Sequence, residues 1–124
     1  MSNEITPGVE AHDKVWFERD GKVVLSDWRV HLLKAIDETG SLSAAAQRAG
    51  VPYRTAWYKL REVEEQLGVQ LTETVSGGST GGGSRLTVAG REIIDRFERV
   101  SRGVEETVRD RFETEFGEVR GGKA

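Results

Sequence analysis

The sequence predicts a mainly α-helical chain with small β hairpins, and three observations support this fold class. A short helix, a tight turn and a longer amphipathic helix occupy residues 40–68, and a β-rich segment follows to residue 75. A glycine-rich loop then leads to a second short β run, and a long apolar stripe follows. This order is typical of a winged helix-turn-helix, whose second helix enters the DNA major groove while the hairpin touches the flanking backbone.

The N-terminal residues predict a tail and then a hairpin. Residues 1–12 are polar and lack apolar periodicity, so we expect a disordered tail and no signal peptide. Residues 14–18 and 22–26 flank Asp20-Gly21, and Asp-Gly between two β-like runs is a strong hairpin signal. No apolar stretch approaches the ~18 residues that span a bilayer. We therefore expect a cytoplasmic protein without a membrane partner.

Three helices are expected next. Ser26 or Asp27 is placed to cap the first, which runs to about residue 39 with Gly40 behind it. An alanine-rich helix follows, and Gly50 supplies the turn after it. Pro52 fits the start of the third helix, where its missing N–H costs nothing. An apolar seam with spacings of 4, 3 and 4 predicts the buried side of that helix: Ala56, Leu60, Val63 and Leu67.

The outward face of the third helix is aromatic and cationic. It carries Tyr53, Arg54, Tyr58 and Arg61, with Trp57 beside the seam. Residues 41–61 contain four cations and no Asp or Glu, although the whole chain has a net charge of −3. A basic patch of this kind indicates a nucleic-acid footprint, and a solvated face without function is the alternative.

Residues 76–84 consist of Gly, Ser and Thr alone, between strand candidates at residues 69–75 and 85–88. As a wing, this loop would let backbone N–H groups approach phosphates without obstruction by side chains. As a plain linker it would be flexible coil. No Gly-Lys-Ser/Thr follows, so the pattern does not indicate a Walker phosphate loop.

The last predicted helix is long, and Thr87 is placed to cap it. Its apolar residues recur at spacings of 4, 3, 4, 4, 4 and 4 up to Phe116. One small domain is too short to cover such a stripe, so we expect its distal part to meet a second copy of the chain. Packing of the helix back onto its own domain is the alternative. The residues expected in a dimer contact are Ile93, Phe97, Val100, Val104, Val108 and Phe112.

Two runs carry a family resemblance. GSLSAAAQRAGVPYRTAW and GGSTGGGSRLTVAGREII resemble the N-terminal DNA-binding domain of ModE-type molybdate-responsive transcriptional regulators, itself a LysR-like winged helix. The segment KVWFERDGKVVLS is similar to the start of that domain, and the resemblance covers roughly residues 14–105. The family's full-length regulators carry C-terminal oxyanion-binding domains. We expect no molybdate site in this chain, and by analogy a dimer formed through the long helix.

Together these patterns predict a transcriptional regulator that binds specific double-stranded DNA as a homodimer, without cofactor or metal. The expected organisation is a tail (1–12), a winged helix-turn-helix (13–87), a dimerisation helix (88–117) and a flexible tail (118–124). Arg54 is expected to read guanine, and Lys59, Arg61 and Arg85 are expected to contact phosphate. The expected DNA-binding residues are Ser43, Tyr53, Arg54, Thr55, Trp57, Tyr58, Lys59, Arg61, Gly77, Gly78, Gly81, Gly82, Gly83, Ser84 and Arg85.

Other functions have weaker support. Catalysis is not indicated, because the two histidines show no ligand spacing and the acids at 62, 64 and 65 are expected to form a solvated helix face. A winged-helix protein-interaction module would lack cations on the second helix, which Arg54, Lys59 and Arg61 argue against. Binding of single-stranded nucleic acid is a further alternative, because Tyr53, Trp57 and Tyr58 could stack on bases.

Overall fold

A computed structural model of the chain describes residues 6–76 and 83–118. Residues 16–97 form one compact unit, and the described residues on either side of that range belong to a second. The mainly helical fold class with two small hairpins is confirmed. The elements in chain order are β1 (Trp16–Arg19), β2 (Lys22–Ser26), α1 (Asp27–Thr39), α2 (Leu42–Ala49), α3 (Tyr53–Leu67), β3 (Thr72–Val75), β4 (Gly83–Leu86) and α4 (Val88–Phe116).

The predicted N-terminal hairpin is confirmed. Strands β1 and β2 pair antiparallel, with a register shift after Phe17. Asp20 and Gly21 both adopt positive φ, 52° and 80°, as the tightest two-residue hairpin turns require. Asparagine, aspartate and glycine tolerate this conformation best, so the Asp-Gly pair sets the turn.

Side-chain caps begin α1 and α2. The Ser26 hydroxyl accepts a hydrogen bond from the Arg29 N–H, and the Ser41 hydroxyl accepts one from the Ala44 N–H at 3.0 Å. Of the two candidates for the first cap, Ser26 is therefore the one used. Pro52 is the N-cap residue of α3 and offers no side-chain bond.

Left-handed glycines end the first three helices. Gly40, Gly50 and Gly68 have φ of 80°, 70° and 68°, and each N–H bonds back to a carbonyl of the helix before it. These turns bring α1, α2 and α3 together around one core. Ala45 on α2 and Ala56 on α3 are fully buried, and these two helices pack against each other.

The second hairpin differs from its prediction at its ends. Strand β3 begins at Thr72, later than the expected residue 69, and β4 covers Gly83–Leu86, earlier than the expected residues 85–88. The strands pair antiparallel from Thr72 with Leu86 to Val75 with Gly83. Thr87 leaves the strand because its hydroxyl caps α4, accepting a hydrogen bond from the Gly90 N–H at 3.0 Å.

The second unit contains the distal part of α4. There, Phe112 and Phe116 stack with ring centroids 5.6 Å apart. Residues 1–5 of the expected N-terminal tail and residues 119–124 of the expected C-terminal tail lie outside the described residues.

Candidate nucleic-acid interface

The first part of α3 projects an aromatic and cationic face into solvent. Tyr53 and Tyr58 are more than half exposed, at 55% and 58%, and Trp57 is 37% exposed. The rings of Trp57 and Tyr58 meet edge to face with centroids 5.2 Å apart. Together with Arg54 these three side chains line an open hollow on the surface. The seam on the other side is buried at Ala56, as the spacing predicted.

Among the described residues, Arg54 is the one cation of this helix without a partner. Within residues 6–76 and 83–118 it forms neither an ion pair nor a side-chain hydrogen bond, and it is exposed. Thr55 is half-buried between Arg54 and the seam. A guanidinium that no protein acceptor satisfies offers both edges of its donor fork to an external acceptor.

The other expected DNA-contacting cations of α3 are already paired. Lys59 lies 3.8 Å from a Glu62 carboxylate oxygen, and Arg61 donates a 3.0 Å hydrogen bond to Glu64. The absence of acids from residues 41–61 therefore overstates the positive charge of this patch. Glu62 and Glu64 follow residues 41–61 in sequence, yet their side chains contact Lys59 and Arg61, three residues earlier on the helix.

The cations on α2 and on the second hairpin are also paired. Arg48 on α2 contacts Glu38 of α1 at 2.6 Å, and Arg85 on β4 donates a 2.7 Å hydrogen bond from Nε to Glu73 on β3. Ser43 is exposed on α2. Each of these ion pairs lies at the surface, where a pair contributes about 0–1 kcal/mol, so a phosphate oxygen can replace the carboxylate at small cost.

Glu64 corrects the expectation of a solvated acidic face. Glu65 is exposed, but Glu64 is 8% exposed, and its carboxylate accepts the Leu71 N–H at 2.8 Å and the Thr72 N–H at 3.4 Å. Leu71 and Thr72 open the second hairpin, so Glu64 ties the end of α3 directly to β3. A carboxylate that accepts backbone N–H bonds and faces Arg61 is satisfied despite its burial.

The first hairpin contacts the same end of α3. Arg19 on β1 donates a hydrogen bond to the Gln66 carbonyl. Arg29 is 8% exposed; it donates to the Val23 carbonyl at 2.5 Å and lies 3.6 Å from Glu62. Both described hairpins therefore hold the C-terminal part of α3, and the face of its first two turns that carries Tyr53, Arg54 and Tyr58 is left open.

Strand β4 of the second hairpin is held against α1 and its Gly40 cap. The Ser84 N–H donates to the Gly40 carbonyl at 2.8 Å, and a Cβ on Gly83 would meet that oxygen at 2.5 Å. Asp37 accepts the Leu86 N–H at 3.3 Å and two hydrogen bonds from Arg91 at 3.1 Å each. The expected phosphate-contacting glycines at 77, 78, 81 and 82 lie outside the described residues.

The residues expected in a dimer contact fall into two groups. Phe97 belongs to the first unit, where it is 2% exposed and packs edge to face on Phe17 with centroids 5.1 Å apart. Its side chain is buried in the chain's own core and offers no open surface. Ile93 in the same unit is half-buried. The second group lies in the second unit, where Val100 is 46% exposed and the others are half-buried: Val104, Val108 and Phe112.

The described part of the chain contains neither a membrane-spanning helix nor a cluster of metal ligands. None of its helices combines the length and the apolarity needed to cross a membrane. Within the same residues, no three His, Cys, Asp or Glu side chains lie close enough together to hold a metal ion.

Comparison with known sequences identifies relatives over most of the chain. Residues 29–91 match the family described as bacterial regulatory helix-turn-helix proteins, lysR family. The molybdenum transport protein ModE of Azotobacter vinelandii is 32% identical over 105 residues, which cover 85% of this chain and 38% of that protein. The DNA-binding transcriptional dual regulator ModE of Escherichia coli is 37% identical over 70 residues, covering 56% of this chain and 27% of that protein. The chain thus spans well under half the length of these curated relatives.

A solved structure shares the fold. DarR of Vibrio fischeri, determined in complex with DNA, superposes with a TM-score of 0.55 at 13% identity, covering 73% of this chain and 30% of that chain. At this level of identity the likeness concerns the arrangement of helices and strands.

Proposed function

We propose that this chain, which belongs to the lysR family of bacterial regulatory helix-turn-helix proteins, binds specific sequences in double-stranded DNA and thereby regulates transcription. The predicted resemblance to ModE-type regulators is confirmed by the relatives from Azotobacter vinelandii and Escherichia coli. One observation supports the DNA-binding proposal most strongly: one open face of α3 presents three exposed aromatic rings and an Arg54 that has no partner within residues 6–76 and 83–118.

In this proposal the first two turns of α3 enter the major groove. Arg54 pairs with the O6 and N7 acceptors of a guanine, which is the commonest specific contact of an arginine with DNA. Lys59 and Arg85 exchange their surface carboxylate partners for phosphates on either side of the groove. Arg61 keeps its bond to Glu64 and contacts phosphate through the remaining N–H donors of its guanidinium. The second hairpin then lies along the backbone as a wing.

A titration of the full chain with three probes tests the proposal. The probes are a duplex selected from random DNA, a random duplex, and the single strand of the selected site. We expect the selected duplex to bind most tightly and all affinities to fall as salt rises. Equal affinity for both duplexes would argue against sequence-specific regulation. Tighter binding of the single strand would favour stacking on Tyr53, Trp57 and Tyr58, and no binding would favour a protein-interaction module.

The proposed functional unit is a homodimer joined through the distal part of α4. Support comes from the apolar side chains of Val100, Val104, Val108 and Phe112, which recur every four residues there and are half-buried or exposed. A second copy packed along this line would remove them from water. Two-fold symmetry would present two α3 helices to half-sites separated by whole turns of DNA, ~34 Å each.

The double substitution Val104→Glu with Val108→Glu tests the dimer. It places four carboxylates in one seam of two chains, and their repulsion should produce a folded monomer with sharply weakened affinity for the selected duplex. The matched control is Glu105→Gln with Glu106→Gln on an exposed part of the same helix, which should sediment as the dimer. A wild-type chain that sediments as a monomer at tens of micromolar would contradict the proposal.

A further inference from the structure

The hollow at the start of α3 has a lining suited to one feature of the major groove. We infer that Tyr58, with Trp57 behind it, contacts the C5-methyl group of a thymine next to the guanine read by Arg54. This inference rests on the proposed DNA-binding function and extends it to the base step that is recognised. The pocket would therefore select a thymine and a guanine as neighbours.

The spacing along α3 places the two readers side by side. Arg54 and Tyr58 are four residues apart, as are Tyr53 and Trp57, so each pair lies on one line along the helix surface. All four residues line the same open hollow. A guanidinium that pairs with guanine therefore brings the adjoining base against the ring of Tyr58.

The chemistry of the lining favours a methyl group. Thymine presents an acceptor and a methyl on its major-groove edge, and that methyl is the apolar feature by which the groove distinguishes it. Tyr53 and Tyr58 have a hydroxyl only at the tip, and Trp57 has a single N–H, so their rings give the hollow an apolar part beside its polar groups. Burial of one methyl against such rings is favourable and carries sequence information.

The same geometry disfavours stacking of a whole base on Trp57. The guanidinium of Arg61 lies over the Trp57 ring, 5.3 Å from its centroid, and Tyr58 meets Trp57 edge to face. Arg61 is itself held by Glu64 at 3.0 Å, so it covers that ring face without any ligand. A stacked base requires a free ring face, whereas a methyl group needs only the angle between Trp57 and Tyr58.

The test removes single methyl groups from the DNA. Each thymidine of the selected duplex is replaced in turn by deoxyuridine, which keeps the base pair and its hydrogen bonds. We expect a roughly fourfold loss of affinity at one position beside a guanine, the effect of exposing one buried methyl. Tyr58→Ala should abolish this difference between thymine and uracil. Tyr58→Phe keeps the ring and should preserve the difference.

The possible outcomes distinguish a failure of the methyl-contact inference from a failure of the proposed DNA-binding function. If the selected duplex binds tightly but no methyl removal changes its affinity by more than twofold, the inference fails and the proposed function stands. The inference also fails if Tyr58→Ala leaves the methyl effect unchanged. If selection enriches no duplex above random DNA, the proposed function fails and the inference fails with it.

Discussion

The two ends of α3 differ in how they are used by the rest of the chain. The last part of the helix is closed: Glu64 holds the start of β3, and the Gln66 carbonyl accepts a hydrogen bond from Arg19 on β1. The first two turns are open, with exposed tyrosines and an Arg54 that has no partner among the described residues. One end of α3 is therefore fixed in position by both hairpins. The other end has an exposed face whose polar groups are available to bind another molecule.

This contrast explains how a chain of net charge −3 can still present the surface proposed to read DNA. Acids are concentrated where they hold the fold together, as with Glu64 on β3 and Asp37 on β4 and Arg91. The charge of Arg54 is not compensated in this way. What matters for recognition is the local balance of charge on the open face, and the total charge is a poor guide to it.

The largest expected effect comes from breaking the closed end. Glu64→Ala leaves the buried Leu71 N–H without its acceptor and removes the partner of Arg61. We expect the free energy of unfolding in denaturant to fall by about 3 kcal/mol. The control Glu65→Ala, one residue along on the exposed side, should change it by less than about 0.5 kcal/mol. Equal stability of the two variants would show that the hydrogen bonds of Glu64 do not stabilise the fold.

A smaller loss should follow from crowding the same junction. A Cβ on Gly90 would lie 2.4 Å from the Leu71 carbonyl oxygen, which also accepts a hydrogen bond from the Thr87 N–H. Gly90→Ala should therefore destabilise the fold by about 2 kcal/mol, because neither backbone can yield freely.

Gly103 in the same helix provides the matched control, because nothing lies within 4 Å of a Cβ placed there. Gly103→Ala should raise the free energy of unfolding by about 0.5–1 kcal/mol, since alanine loses less conformational entropy in a helix. Thermal melts of both variants check the pair. A Gly90→Ala melt as high as that of Gly103→Ala would mean that β3 and α4 are not tightly joined.

Local signals explain why much of the fold was predictable. Asp20-Gly21 and the glycines at 40, 50 and 68 act through their own backbone conformations, which depend little on distant residues. The predicted ends of the strands in the second hairpin were less accurate, because a threonine at position 87 suits both the end of a strand and the cap of a helix. Its hydroxyl bond to the Gly90 N–H, together with its bond to the Gln70 carbonyl, decides between them only in three dimensions.

The candidate nucleic-acid interface was predictable in part, because some of its features depend only on local sequence. The exposed aromatic face of α3 followed from the helical period and was placed correctly on the outside. Ion pairing of Arg48 with Glu38 joins two helices, and the burial of Glu64 depends on β3; neither is visible in a local charge count. One signal was available: Glu64 follows the buried Leu60 by four residues, which places it at the edge of the seam.

The smallest effect should come from Lys59, at the boundary between the two ends. Its pair with Glu62 spans 3.8 Å, and both side chains are 41% exposed, so Lys59→Gln should cost about 0–1 kcal/mol of stability. If Lys59 contacts phosphate, the plot of log affinity against log salt should flatten by about 0.9. An unchanged slope would remove Lys59 from the DNA contact.

The most direct test of the account is Arg54→Ala, measured on a selected duplex and on a random duplex. The account predicts that affinity for the selected duplex falls by about 1–3 kcal/mol, because a bidentate contact with guanine is lost. Affinity for random DNA and the free energy of unfolding should stay nearly constant, since Arg54 has no partner in the described part of the chain. Equal losses on both duplexes, or a loss of stability like that of Glu64→Ala, would contradict the claim that the open end of α3 reads sequence.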